Sequence, residues 1–387
     1  MTRVAPVIAP TTAPARVRSL DLLRGLAVLL VLGRHFEAWP ADLPAPVQGF
    51  LGAWKQIGWC GVDLFFVLSG FLVSGLLFRE YQTHGRVDVV RFMIRRGFKI
   101  YPSFYVMLLV SLVAMRVFHQ PFTSTAVLSE VLFLQSYVPR LWNHTWTLAV
   151  EEHFYLLLAG VVWCLTRRPT ADADPFRRLV PLFYGLAFVA SAARIGNAWT
   201  REYSHQTHLI PTHLRIDALF FGVVLSYLWH FHRTSIEPLI RSGRTGWLLL
   251  VVLLFSPVAF FPLGEGVFLH SIGFSLLTLA AGLLVLATLD WQPRFSLGGP
   301  VSGFLALIGV HSYSVYLWHM PVQRFLPRVL RRISARLGAP VEFGYGTNVC
   351  LYLVGSIALG ILMSKLIDIP CLAWRDRWFP SRAKSLS

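Results

Sequence analysis

The sequence predicts an all-α fold, a polytopic membrane helix bundle with about ten transmembrane helices, and three observations lead there. Of 387 residues, 55% are hydrophobic and 14% charged, and the mean hydropathy of +0.58 exceeds what a water-soluble domain of this length tolerates. Apolar runs of about 20 residues, the length that crosses a bilayer's hydrocarbon, recur along the whole chain. The net charge of +16 is not gathered into a basic, aromatic-interleaved stripe on a soluble module. Cytoplasmic loops and membrane-surface phosphates therefore account for it, and nucleic acid is not expected as a partner.

The opening stretch, "MTRVAPVIAPTTAPAR", is rich in Ala, Pro and Thr and lacks the apolar core of a cleavable signal peptide, so residues 1–18 read as a disordered cytoplasmic tail. Helices follow at 19–36, 56–78, 100–118, 147–165, 178–195, 213–231, 245–262, 268–289, 302–320 and 348–368, within one membrane domain spanning 19–370. Residues 371–387 form a second cytoplasmic tail. The runs holding Glu151, Asp217 and His311 are interrupted by polar side chains and belong among other helices, away from lipid. No internal repeat divides the chain into transporter-like halves.

Orientation follows from the 35 Lys and Arg, of which 23 fall in the inner segments and 12 in the outer ones when the N-terminus is placed inside. Both termini are thus expected in the cytoplasm, with the protein integral to a bacterial cytoplasmic membrane. The exception is "QRFLPRVLRRISARLG", 323–338, whose five arginines lie in an outer segment that reads as an amphipathic surface helix. The four cysteines, Cys60, Cys164, Cys350 and Cys371, stand far apart with no CxxC or Cys/His cluster, so no metal is expected. Cys60 and Cys350 could pair near the outer face, but isolated buried thiols fit better.

"RGLAVLLVLGRH", 24–35, sets the functional question. Eleven helical steps separate Arg24 from His35, three turns plus about 20°, so the two share a face about 16 Å apart. Asp63, in "GWCGVDLFFVLSGFLVSGLL", lies at a depth similar to His35, as do Glu151 and Glu152 in "HTWTLAVEEHFYLLL" and His319 in "HSYSVYLWHMP". Ionisable groups inside a membrane default to function with a named partner. An imidazole beside a carboxylate is what general-base work on a hydroxyl requires, with Glu152 or Asp63 as that carboxylate. Glu151 and Glu152 diverge by about 100° and cannot both face one site. Glu152 is preferred for the site and Glu151 for an arginine-paired role. Arg215, Asp217 and His311 read chiefly as a structural polar network, while Trp146, His319 and Asp217 are the candidates to touch an acceptor. Ser69, Gly70, Ser74 and Gly75 would let another backbone or a thin substrate arm come close. A serine-protease role for Ser69 lacks any nucleophile-elbow signature.

At the other end of the bundle, "RFMIRRGFKIYPSFY" supplies Arg91, Arg95, Arg96, Lys99 and Tyr101. Such a cluster grips multiply phosphorylated ligands, and its aromatic neighbours could stack on a base, although a solvated positive-inside loop would look similar.

Taken together, these stretches resemble the acyltransferase-3 family of integral membrane acyltransferases. The resemblance rests on "SLDLLRGLAVLLVLGRH", "GVDLFFVLSGFLVSGLL", "RRGFKIYPSFY", "TWTLAVEEHFY", "SYSVYLWHMP" and the closing "LIDIP". It implies a ten-helix bundle that uses cytoplasmic acyl-CoA to acylate hydroxyls of sugars, glycans or glycosylated small molecules. It further implies that Arg24 and His35 form the family's arginine–histidine pair, Glu151 and Glu152 its paired glutamates, and Arg95 its basic position before the third helix. Nothing after 370 has the length of an SGNH-type esterase domain, so a stand-alone enzyme is expected. The resulting reading is an O-acetyltransferase: Arg24, Arg95, Arg96, Lys99 and Tyr101 hold the donor, its pantetheine arm runs along the first helix, and His35 deprotonates the acceptor in direct transfer. The rivals are a proton-coupled carrier of a sugar or lipid, and a non-catalytic scaffold.

Overall fold

The computed structural model describes residues 18–167, 174–289 and 299–382, and all regular structure among them is helical. The Ala/Pro/Thr-rich tail expected at the N-terminus lies outside the described residues. The first helix, α1 (Arg18–Arg34), leads into α2 (Ala45–Ile57), which runs on through a single 3-10 turn into α3 (Gly61–His84). Gly85, at φ +67°, ends α3. The Asp88 carboxylate accepts from the backbone N–H of Arg91 and starts α4 (Val89–Val117). A short α5 (Ser124–Val131), capped by Thr123, precedes α6 (Trp146–Thr166), α7 (Leu179–Thr200) and α8 (Ile216–Phe231). Next come α9 (Arg233–Ser242), α10 (Arg244–Phe255), α11 (Pro257–Phe260) and α12 (Phe274–Thr288). The chain closes with α13 (Gly299–Val310), α14 (Ser312–Arg336), α15 (Tyr345–Met363) and α16 (Ile369–Trp378).

Each expected segment coincides with a helix, but the count of ten spans is not reached. Among the described residues six helices are long and apolar enough to cross a membrane, or up to eight if two bent pairs each count as one span. The shortfall is at α1 and α8, of 17 and 16 residues. At 1.5 Å per residue these reach about 24–26 Å, short of about 30 Å of hydrocarbon. Both lie in the interior of the bundle, where neighbouring protein covers their ends.

Two glycine crossings fix the frame. A Cβ on Gly70 would stand 1.9 Å from the carbonyl oxygen of Leu219, and one on Gly222 2.2 Å from that of Val67. Only glycine at both positions lets α3 and α8 touch backbone to backbone. In the same way Gly309 of α13 meets the carbonyl of Asp21, and Gly25 of α1 that of Leu305. Buried ion pairs hold the start of α8 to α3 and to α7: Arg215 to Asp63 at 2.7 Å and Arg194 to Asp217 at 2.8 Å, all four side chains nearly inaccessible. Burying the pairs intact avoids the much larger cost of one uncompensated charge.

The ninth expected span, 302–320, is instead two helices that bend by 80° at His311. Gly309 is pinned beneath α1, whereas Val315 lies where a side chain on Gly360 of α15 would have to go, and the chain turns between the two attachments. The arginine-rich segment at 323–338 is accordingly no separate surface helix but the continuation of α14 to Arg336. Residues 371–382 are not a free tail. They continue the last helix as α16 and then fold back, with the Phe379 and Pro380 carbonyls accepting from Arg95 and Arg91 and Arg382 near Glu80 and Asp88. All four cysteines are free; Cys60 is buried, whereas Cys350 and Cys164 are exposed.

Candidate active site

Two cavities meet inside the bundle. The larger, about 560 Å³, opens at the His35 end of α1 and is lined by His35, Arg34, Trp146, Arg140 and His144 among others. The smaller, about 110 Å³, lies towards the Arg24 end, with Arg24, Arg96, Lys99, Ser69 and Glu151 on its wall. Val62 and Tyr316 line both. The spacing of Arg24 and His35 along one helix is thus spanned by two adjoining cavities.

His35 follows the last residue of α1, where its backbone carbonyl accepts from Gln323 of α14. Its ring lies against that of His319, centroids 5.0 Å apart, and His319 lies edge-on to His144 at 4.7 Å. The outer nitrogens are assigned by the carbonyls they face. His319 Nδ1 donates to the Tyr316 carbonyl and His144 Nε2 to that of Leu317, which leaves His319 Nε2 and His144 Nδ1 as buried acceptors without a hydrogen bond. The carboxylate expected beside His35 is absent from these contacts. Asp63 is committed to Arg215, and Glu152 accepts from the Tyr101 hydroxyl at 3.0 Å. Asp217 is held by Arg194, away from both cavities.

Of the paired glutamates it is Glu151 that faces a cavity. Its Oε2 accepts from Tyr155 at 3.0 Å, and the Tyr155 hydroxyl in turn meets Ser69 at 2.9 Å. Glu152, preferred for the site from the sequence, and Tyr101 are not among the residues lining either cavity. The basic cluster also divides. Arg96 lies over the Tyr155 ring and Lys99 over that of Tyr313, both on the cavity, with Lys99 3.9 Å from Asp368. Arg95 faces the other way, paired with Asp376 at 3.0 Å. Asp368, from "LIDIP", accepts from Ser103 and Ser314 and ties α4 to α14 below the cavity.

Three contributors were not singled out from the sequence. Tyr316 separates the cavities, its hydroxyl donating to the His144 carbonyl at 2.8 Å. His144 belongs to a loop, where no helical period marks it. Glu130 of α5 holds that loop: one carboxylate oxygen accepts from Leu141 N, Trp142 N and the Thr145 hydroxyl. Burial pushes the Glu130 carboxyl up to about 7 and the His144 imidazole down to about 3. Among the described residues no group of three or more His, Cys, Asp or Glu is placed to hold a metal.

The described residues thus form an all-helical bundle with several membrane-length apolar helices and imidazoles lining the larger of two adjoining cavities. Comparison with known proteins assigns the family. Residues 17–365 match the family described as "Acyltransferase domain", and the chain belongs to this acyltransferase-3 family. It is 27% identical over 335 residues to the protein named "Putative O-acetyltransferase SACOL0978" of Staphylococcus aureus (strain COL), covering 80% of this chain and 51% of that one. It is 24% identical over 339 residues to O-acetyltransferase OatA of S. aureus (strain NCTC 8325), covering 81% and 52%. The chain spans about half the length of the curated relatives it matches. No solved structure matches. The chain's apolar helices and its family make it an integral membrane protein.

Proposed function

We propose that the protein is an O-acetyltransferase that moves an acetyl group from acyl-CoA, entering from the cytoplasm at the Arg24 end, to a hydroxyl of a sugar, glycan or glycosylated small molecule bound at the His35 end. The observation that carries this reading is the meeting of the two cavities at Val62 and Tyr316, on the route from Arg24 to His35. Arg24, Arg96 and Lys99 supply cations for the donor's phosphates. The narrow cavity suits a thin pantetheine arm, and the wide one an acceptor.

His35 takes the proton of the acceptor hydroxyl as its oxygen attacks the thioester carbonyl. The C–S bond breaks as the ester forms, and the imidazolium returns the proton to the leaving thiolate. His319, aligned by the Tyr316 carbonyl, is the group against the His35 ring and takes over the orienting part first expected of a carboxylate.

Adjoining cavities would also suit a proton-coupled carrier. Consumption of the donor separates the two: the purified chain, given labelled acetyl-CoA and a cell extract, should release CoA thiol and label one component, and His35→Ala should do neither while melting normally. Intact acetyl-CoA after incubation with the wild type and every extract fraction would rule the enzyme reading out in favour of a carrier.

A further inference from the structure

The large cavity has a pronounced charge imbalance. Arg34, Lys55 and Arg140 line it beside the already paired Arg215, while Glu37 is the one carboxylate among the described lining residues. Arg140 Nε is buried with no hydrogen-bond partner. Lys55 lies 5.7 Å over the Trp39 ring, a contact that leaves its ammonium hydrogens available. The imbalance continues outward. Two further cavities of about 320 and 180 Å³ share Glu37 and Gln323 with the first and add Arg324 and Arg328. The Arg324 side chain binds the neutral amide of Gln120, and that of Arg328 a backbone carbonyl.

These cations, balanced only in part by Glu37 near Lys55 and Glu130 near Arg140, disfavour one another unless an anion joins them, and a neutral glycan, whose hydroxyls accept hydrogen bonds, brings no balancing charge. Trp59 and Trp146 line the same cavity. We propose that the acceptor is an anionic saccharide, whose carboxylate or phosphate is held by Arg34, Lys55 and Arg140 with a hydroxyl turned to His35, and whose onward chain lies along Arg324 and Arg328. This rests on the acyltransferase reading for the role of the bound saccharide, though not for its binding.

The test is equilibrium binding to the full chain in neutral detergent without donor. The ligands are a glucose tetrasaccharide, a tetrasaccharide containing glucuronate and one containing a glucose phosphate, and they distinguish the two sources of charge. At least one acidic ligand should bind about 10-fold or more tighter than the neutral one, the expected scale of a charge-assisted contact. That preference should shrink about 10-fold in Arg34→Gln and Arg140→Gln and fall with salt, while Arg86→Gln, a change of the same charge on another surface, leaves it intact. Equal binding of all three, no binding of any, or a preference untouched by Arg34→Gln and Arg140→Gln would overturn the proposal. Adding acetyl-CoA separates the two readings. Acidic ligand that binds but is never acetylated keeps the anion site and removes the transferase reading, whereas acetylation of the neutral ligand with equal kcat/KM does the reverse.

Discussion

His319 lies against His35 with ring centroids 5.0 Å apart, and its one unbonded nitrogen is buried. The pair joins α14 to the end of α1, two elements almost 300 residues apart in sequence. His35→Ala should lower transfer by about 10² to 10⁴, the usual range for a general base, with the melting temperature nearly unchanged. His319→Phe keeps a ring in the same place and should reduce kcat more than it raises KM. A His319→Phe enzyme with wild-type kcat would show that its nitrogens play no part.

Arg24 and Arg96 should fail differently from His35. Each contact to a donor phosphate is made in ground and transition states alike, so Arg24→Gln or Arg96→Gln should raise the KM for acyl-CoA more than it lowers kcat. A loss of about 1.5 to 3 kcal/mol corresponds to roughly 10- to 150-fold. Arg95→Gln should have a smaller effect, because Arg95 is already engaged by Asp376. An untouched donor KM in Arg24→Gln would move the donor site elsewhere.

Glu130 gives the fold a pH dependence. Its folded pKa of about 7 is above the ordinary value of 4.5, so between those values the folded state holds a proton that the unfolded state has lost. The resulting stabilisation is full below pH 4.5 and is lost as pH rises through 7, by up to about 3 kcal/mol. Glu130→Gln keeps an acceptor for Leu141, Trp142 and Thr145 without the charge. Its melting temperature should therefore vary less between pH 5 and 8 than that of the wild type. Parallel curves for the two proteins would assign the pH dependence to other groups.

Gly70→Ala places a methyl group 1.9 Å from the Leu219 carbonyl. The α3–α8 crossing should open at a cost of at least about 1 to 3 kcal/mol, read as a lower melting temperature in detergent. Gly160→Ala, which meets nothing within 4 Å, is the matched control. Equal melting of the two would mean that the crossing contributes little to stability.

Orientation is open to labelling. With the exposed native Cys164 and Cys350 first changed to serine, a thiol at Asn143 should react with an impermeant reagent on intact cells, and one at Arg86 should not. The reverse pattern would exchange the donor and acceptor ends.

The sequence made depth legible and left lateral position hidden. Hydropathy found an apolar run in each long helix, though it joined α13 to the start of α14, and the 3.6-residue period placed Arg24 and His35 on one face, because both are properties of a single segment. Partners across the bundle depend on packing between segments remote in sequence. Asp63 has the right depth for His35 but is taken by Arg215, and Asp217 by Arg194. For Glu151 and Glu152 the period showed that the two point about 100° apart, and in the fold it is Glu151 that lines a cavity. The bend at His311 carries no proline or glycine at the break. It arises from attachments to α1 and α15 that hydropathy reads through without a mark.

The passage of α13 across α1 sets an order of events during synthesis. Gly25 of α1 rests on Leu305, and His35 faces His319, so α1, which α2, α3 and the turn between them can cover early through Trp54, Gly58 and Gly61, gains its last partners only some 280 residues later. Until then the face of α1 that α13 and α14 will cover must be tolerated in lipid or screened by an insertion partner. Nascent chains halted before α13 would then be the species most exposed to membrane quality control, whatever their donor or acceptor.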